Sequence, residues 1–468
     1  MSSLECETTI DSLPEEVFCM IFDLLDLVNV KSASLVCRKW HNIVFLSPYI
    51  KRFVFNIVLH LSWKPTEEEL AICKMRTKEV IDIANHTQRC YRYLLLCVNR
   101  IKFVDFPSLW KSLHPNVTVN IYWLHLMLCG DIRDTFMLIV DAIPLLPKLR
   151  SFSFSKIHTI DQVTVLRSSS VQYLNVDDCN IRIDMPELES FAGPLSALSQ
   201  RDDNDQPVVL AKLKYVKITH NPYDSVDQYN TIPFRFVNVE SLTVWDTLEE
   251  PLFITICNTC TKLNKLYFQF TPCIEDPAAM RHLSKLSNLR QLKFDSVGKF
   301  KNCLVPWSNI FSFDFDLSEL TQLEDLDLGS ILFGAHRSIR LPKSITHLSV
   351  SINYKNEQNI IQNVIGSLTQ LQSLRLGNFP RHVDPWTPLQ KAEVAQNTLK
   401  FLNHLKQLEE LVFVNVEFSE SAYLDLEDLM HRLRVLRFVN CILVQNRLQE
   451  LEQIFPNLKI EVCTAQNL

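Results

Sequence analysis

Cys257 and Cys260 have the spacing with which thiolates hold zinc, and Gly329 and Gly334 have that of a phosphate-cradling loop. Neither signal is completed. A zinc finger needs a second pair at finger spacing, which the flanking sequence does not supply. A P-loop needs Lys-Ser or Lys-Thr after its second glycine, where this chain has Ala335-His336. No His-Glu-x-x-His, G-x-S-x-G or G-x-G-x-x-G occurs, and the 13 histidines are scattered singly. With seven glycines in 468 residues, glycine-rich phosphate loops are not expected. These patterns predict a chain that is not an enzyme, with no catalytic residue, no metal and no cofactor. What remains is the chemistry of binding: apolar residues at helical spacing near the N-terminus, and aromatic and lysine residues farther along.

The elements that must position the first group lie in residues 10–46. Ser12 and Glu15 stand at capping-box spacing with Pro14 in the first turn, and a cap one residue later fits equally well. Val17, Ile21, Leu24 and Leu25 follow on one helical face, with Phe18 and Phe22 as a second apolar row beside it. Asn29 can start another helix, after which Val30, Ala33, Cys37, Trp40 and Val44 recur every three or four residues. A three-helix core accounts for about half of these positions. So small a core supplies only ~3–5 kcal/mol, and the surplus apolar surface implies a partner.

Leu13-Pro14-Glu15-Glu16-Val17, Ile21-Phe22, Leu24-Leu25-Asp26 and Leu35-Val36-Cys37-Arg38-Lys39-Trp40 together resemble the F-box. The resemblance spans residues 8–50, about a tenth of the chain. It departs at Pro48-Tyr49-Ile50-Lys51, where many members carry Leu-Trp after the proline. It implies a three-helix module that binds the Skp-type adaptor of a cullin-RING ubiquitin ligase and, through it, a cullin. By position, the adaptor-facing residues it implies are Leu13, Pro14, Val17, Ile21, Val36, Cys37 and Trp40.

The rest of the chain repeats. The template L-x-x-L-x-L-x-x-(N/C) appears at Tyr91/Leu94/Leu96/Asn99 and Ile121/Leu124/Leu126/Cys129. It recurs some fifteen times, weakly at Leu188/Phe191, down to Leu458/Ile460/Val462. The mean interval from Ile121 is about 26 residues, the length of a leucine-rich repeat. Each such unit buries its leucines only against its neighbours, so the pattern predicts a solenoid. The fold expected is α/β: an F-box at 8–50, a linker and N-terminal cap at 51–90, and a leucine-rich-repeat solenoid at 91–468, a curved parallel sheet lined by helices. The short step from Val171 to Leu188 leaves one of those two strands in question, and the Pro306-Trp307 and Pro385-Trp386 regions read as insertions.

Alternate residues of a strand point to opposite faces. With the leucines inward, the concave face carries Tyr173, Asn175, Tyr215, Lys217, Trp245, Lys265, Tyr267, Lys293, Asp325, Asp327, His347 and Arg375. Exposed aromatic residues are typical interface anchors, so Tyr215, Lys217, Trp245, Lys265, Tyr267 and Lys293 are the candidate target-binding residues. Val412, Val414, Val435 and Val439 make the last strands apolar on that face, to be covered by a C-terminal element or a ligand. The reading is a substrate-recognition adaptor whose module holds the ligase and whose repeats hold a target protein. The alternative is a repeat scaffold or ligand receptor that acts without ubiquitination of a target. A net charge of −6, from 47 basic and 53 acidic residues, argues against broad nucleic-acid binding. No apolar run approaches the ~20 residues of a membrane span. Without a secretory signal at its start, the chain is expected in the cytoplasm or nucleus, with its 14 cysteines reduced.

Overall fold

In the computed structural model, the residues described are 10–46, 53–87, 89, 91–130, 133–156, 164–177, 181–198, 210–219, 236–247, 250–270, 277–296, 315–328, 339–351, 360, 364–377, 392–394, 402–418, 427–442 and 447–463. They fall into two compact units, divided near residue 200.

The first unit begins with three short helices, α1 (Glu15–Asp23), α2 (Leu27–Ala33) and α3 (Arg38–Leu46). The capping box at Ser12 does not form. Ile10–Ser12 is a single tight turn, and α1 starts at Glu15 with Pro14 as its N-cap and no side chain capping it. Proline suits that place because the first N–H of a helix has no intrahelical partner. Asp26, not Asn29, caps α2: its carboxylate accepts from the Asn29 backbone N–H at 2.8 Å and from the Asn29 side chain at 3.1 Å. Phe18, Phe22, Val30, Ile43, Val44 and Phe45 close the core between the helices, joined by Phe53.

Six strands in one parallel row follow, β1 (Val54–Leu59), β2 (Tyr93–Val98), β3 (Trp123–Leu128), β4 (Ser151–Lys156), β5 (Tyr173–Asp177) and β6 (Ser190–Gly193), besides a short parallel pair, Thr164–Arg167 with Ile181–Asp184. The first strand therefore lies within the stretch assigned to a linker. Ile57 and Leu59 stand in register with Leu96 and Val98, as in every later repeat. Helix α4 (Glu67–His86) opens with a full capping box between Thr66 and Glu69. The template asparagine closes the turn that leaves a strand. Asn99 accepts from the Leu61 N–H at 2.8 Å and donates to the Leu61 carbonyl at 2.6 Å. Both strands of the short Val171–Leu188 step form, the second with only four residues.

The second unit carries a row of ten parallel strands, β7 (Tyr215–Ile218), β8 (Ser241–Thr247), β9 (Lys265–Phe270), β10 (Gln291–Ser296), β11 (Asp325–Leu328), β12 (His347–Ser351), β13 (Ser373–Gly377), β14 (Glu410–Val414), β15 (Val435–Val439) and β16 (Lys459–Cys463), besides two short parallel pairs, Phe315–Asp316 with Ile339–Arg340 and Ala392–Val394 with Val416–Phe418. Their register is continuous: Val216, Leu242, Leu266, Leu292, Leu326, Leu348, Leu374, Leu411, Leu436 and Ile460 form one row. The leucines of that row are buried, and each contributes about 1.5–3 kcal/mol on leaving water. The architecture is an α/β solenoid behind an N-terminal helical module. The two cysteines of the incomplete zinc pattern are part of this core, Cys257 in α5 (Glu250–Thr259) and Cys260 just after it. Burial pushes both thiols up, Cys260 to about 11. The two Pro-Trp insertions and the Gly329–His336 segment lie outside the described residues.

Candidate binding surfaces

The helical module sorts its apolar residues into two sets. Phe18 and Phe22 on α1 point inward and meet the Trp40 ring of α3, each at 5.5 Å between ring centroids. Lys39 ties α3 to the N-terminal turn by donating to the Leu13 carbonyl at 3.0 Å, and its ammonium lies over the Phe18 ring. A nine-residue helix can bury only one stripe, so much of what lies off the stripe of Phe18 and Phe22 faces out. Met20, Ile21 and Leu24 of α1 are exposed, as are Leu27 and Val28 of α2. So are Leu35 and Val36 in the turn between α2 and α3, with Leu24, Leu35 and Val36 at 87%, 84% and 65% exposure.

The seven candidate adaptor residues divide along the same line. Pro14, Ile21 and Val36 are exposed and available to a partner. Val17 is half-buried, and Leu13 packs partly against the core. Cys37 and Trp40 have duties inside the module. The Cys37 sulfur accepts from the Trp40 N–H at 3.5 Å at the start of α3. The Trp40 ring packs against the core, and its Nε1 is buried without a hydrogen-bond partner among the described residues. Met20, Leu24, Leu27, Val28 and Leu35 belong to the exposed set and were not among the residues assigned to the adaptor. The inward phase of Phe18 and Phe22 was the signal that would have found those on α1.

Two sheet faces carry the second kind of surface. In the first unit the side chains between the core positions of β1 to β3 are Val54, Asn56, Val58, Tyr93, Leu95, Cys97, Trp123, His125 and Met127. Trp123 stacks on His125 at 5.5 Å, and no lysine, arginine, aspartate or glutamate interrupts these positions. Burial lowers the His125 imidazole and raises the Cys97 thiol. This uncharged face was not singled out from the sequence, although the alternation that reveals it is the one used elsewhere.

In the second unit the six candidate target residues share one face. Lys217, Thr243, Tyr267, Lys293 and Asp327 form one row across β7 to β11, and Tyr215, Ser241, Lys265, Gln291 and Asp325 form the next. Trp245 meets Tyr267 edge-on at 5.2 Å. The Lys217 ammonium lies 5.4 Å from the Trp245 ring centre and the Lys293 ammonium 5.3 Å from that of Tyr267. Cation–π attraction operates at that range, worth ~0.5–1 kcal/mol when exposed. Lys293 also pairs with Asp327 at 3.0 Å. A depression of about 390 Å³ lies among these strands, with Lys265, Tyr267 and Lys293 on one side and Asp325 and Asp327 on the other. Burial holds the Asp325 carboxyl above its ordinary range. The valines of the last strands are not a free face: Val412, Val414 and Val439 are buried and pack together with Cys463 beside them.

A family model described as F-box-like matches residues 10–55. No curated protein matches the chain. Solved structures similar to it include an internalin from Listeria monocytogenes, 15% identical over 75% of this chain and 87% of that one, with a TM-score of 0.35. Another is a leucine-rich-repeat protein from Leptospira interrogans, 14% identical over 82% of this chain and 97% of that one, with a TM-score of 0.36.

Proposed function

From a chain that carries an F-box-like domain ahead of leucine-rich repeats, we propose the substrate-receptor subunit of a cullin-RING ubiquitin ligase. The helical module docks on a Skp-type adaptor, and the repeats hold a target protein. No residue of this chain takes part in ubiquitin chemistry. Its contribution is proximity, which raises the concentration of the target near the ubiquitin-loaded enzyme.

The observation that carries this reading is the exposed apolar set on a module whose core is already closed. Phe18, Phe22, Val30 and Val44 are fully buried, so Leu24, Leu35 and Val36 are not needed inside. So many exposed apolar residues on so small a domain suit a contact surface. A few such anchors, each worth ~2 kcal/mol or more when truncated, dominate a typical interface.

The test is co-purification from cell extract of the full chain beside its Leu35→Glu/Val36→Glu variant. The wild type is expected to bring down both a Skp-type adaptor and a cullin, and the variant neither. Retention of the adaptor by the variant at wild-type level would refute the assigned surface. Adaptor without cullin would favour a scaffold over a ligase subunit.

A further inference from the structure

Within the second unit, most charges on the sheet face that carries Trp245 are matched in place. Arg437 bonds to Glu461 at 2.5 Å and lies 3.6 Å from Glu410. Lys293 has Asp327, and at the edge of the sheet Arg290 has Glu324 and Arg434 has Glu409. Lys217 and Lys265 are different. Both are exposed, and neither has an ion pair among the described residues, although Lys265 lies near enough to Asp325 to favour its charged form. Beside them stand two aromatic side chains that remain half-open to water, Tyr215 at 49% and Trp245 at 45% exposure.

We infer that the face around Trp245 receives an extended acidic segment of a target protein, with carboxylates over Lys217 and Lys265 and an aromatic or aliphatic side chain against Trp245 and Tyr267. This rests on the proposal that the repeats hold a target, and it names the chemistry of that target.

The register sets the spacing. Lys217 and Lys265 lie two strands apart and two residues out of row. At ~4.8 Å between strands and ~3.3 Å per residue, their Cα atoms stand about 12 Å apart. Two carboxylates three or four residues apart in an extended segment span the same distance. Both cations are lysines, which act as point charges. The planar fork of arginine, which suits bidentate phosphate recognition, is missing from these positions.

The far wall gives the segment a direction. Asp325 and Asp327 repel acidic groups beyond Lys293, so the end of the segment that reaches them is neutral or basic. Nucleic acid is a poor fit to the same face. Its evenly spaced phosphates would meet the two aspartates, and the chain as a whole carries a net charge of −6. The rings also hold the Lys217 and Lys293 ammonium groups over the sheet, which lowers the entropy lost when a segment binds.

The test uses the full chain and two fluorescein-labelled probes, a glutamate–tyrosine copolymer and poly-glutamate, read by anisotropy. The wild type is expected to bind the copolymer more tightly than poly-glutamate. Lys217→Glu/Lys265→Glu should weaken the copolymer at least tenfold, and Trp245→Ala should erase the preference for tyrosine. Each variant should still capture the Skp-type adaptor, which shows that the chain is folded. Copolymer affinity within twofold of wild type after the double charge reversal overturns the inference. So does full displacement of the copolymer by inorganic phosphate at constant ionic strength, which would make this a phosphate site. Lysine-dependent copolymer binding without adaptor capture by the wild type would sink the ligase reading alone. Adaptor capture without lysine-dependent copolymer binding would sink this inference alone.

Discussion

The F-box-like domain and the face around Trp245, the two proposed binding surfaces, expose opposite kinds of side chain. On the helices, Leu24, Leu35 and Val36 stand in water while the aromatic residues Phe18, Phe22 and Trp40 hold the core. On the strands, the aliphatic residues of β7 to β11 are inside, and Lys217, Lys265, Tyr215 and Trp245 stand in water. The difference comes from the elements. A helix of seven to nine residues cannot bury its whole circumference, so an all-round apolar sequence must leave anchors outside. A strand in a solenoid separates its two faces at every second residue, so the outer face can carry charge without disturbing the core. The first set suits apolar contact that salt leaves unchanged, the second contact that salt weakens.

Core and surface roles in the helical module separate most sharply at Phe18. Phe18→Ala should cost about 3–5 kcal/mol and abolish adaptor capture by unfolding the module, visible as loss of its helical signal on heating. Leu35→Glu/Val36→Glu should abolish capture with stability within about 0.5 kcal/mol of wild type, as for other exposed substitutions. If both variants lose stability alike, the two sets are one core. For the strands, Leu266→Ala should cost about 2–5 kcal/mol by leaving a cavity in a continuous leucine row. Urea titration should show that loss while adaptor capture survives.

Ionic strength sharpens the contrast further. Between low and high salt, adaptor affinity should change less than about twofold, and affinity for the glutamate–tyrosine copolymer should fall about tenfold. Parallel salt dependences would erase the distinction between the surfaces.

The smallest effect is a pH dependence at Asp325. Burial raises its carboxyl in the folded chain, so folding binds its proton more tightly than the unfolded chain does. Its contribution to stability is therefore best below the ordinary carboxylate range and is lost as pH rises through the raised value. Asp325→Asn should match wild type near pH 3.5 and exceed it by up to about 0.5 kcal/mol near pH 7. Urea midpoints at the two pH values would measure this, and a gain that is larger at the acid end would reverse the sign.

Much of the solenoid is legible in the sequence because one rule, an apolar residue at every second strand position, repeats about every 26 residues. That rule extends to Ile57 and Leu59 as well. Their strand escaped the repeat count because the template around it is incomplete, and the asparagine that bonds to Leu61 comes from the next repeat, at Asn99. The helical module is less legible at the level of single residues. Cys37 and Trp40 match a signature, and a signature does not distinguish a residue that touches a partner from one that lets the module fold. Only the phase of α3 against α1 decides that, and it turns Trp40 toward Phe18 and Phe22. Likewise, Ser12 and Glu15 have the right spacing for a cap, but Pro14 takes the capping position. The six candidate residues around Trp245 do share one face because their placement needed only strand parity. That Lys293 is matched by Asp327 while Lys217 and Lys265 are not depends on register between repeats of unequal length, which residue spacing does not supply.

The central claim is that the exposed apolar set of α1, α2 and the turn after them is a docking surface for a Skp-type adaptor. Titration calorimetry of purified adaptor into the full chain at several temperatures tests it most directly. Burial of apolar surface gives a negative heat-capacity change. Saturable binding with that signature is expected, little changed by salt and absent in Leu35→Glu/Val36→Glu. Binding that persists in the variant with the same heat capacity, or no binding by the wild type, would contradict it.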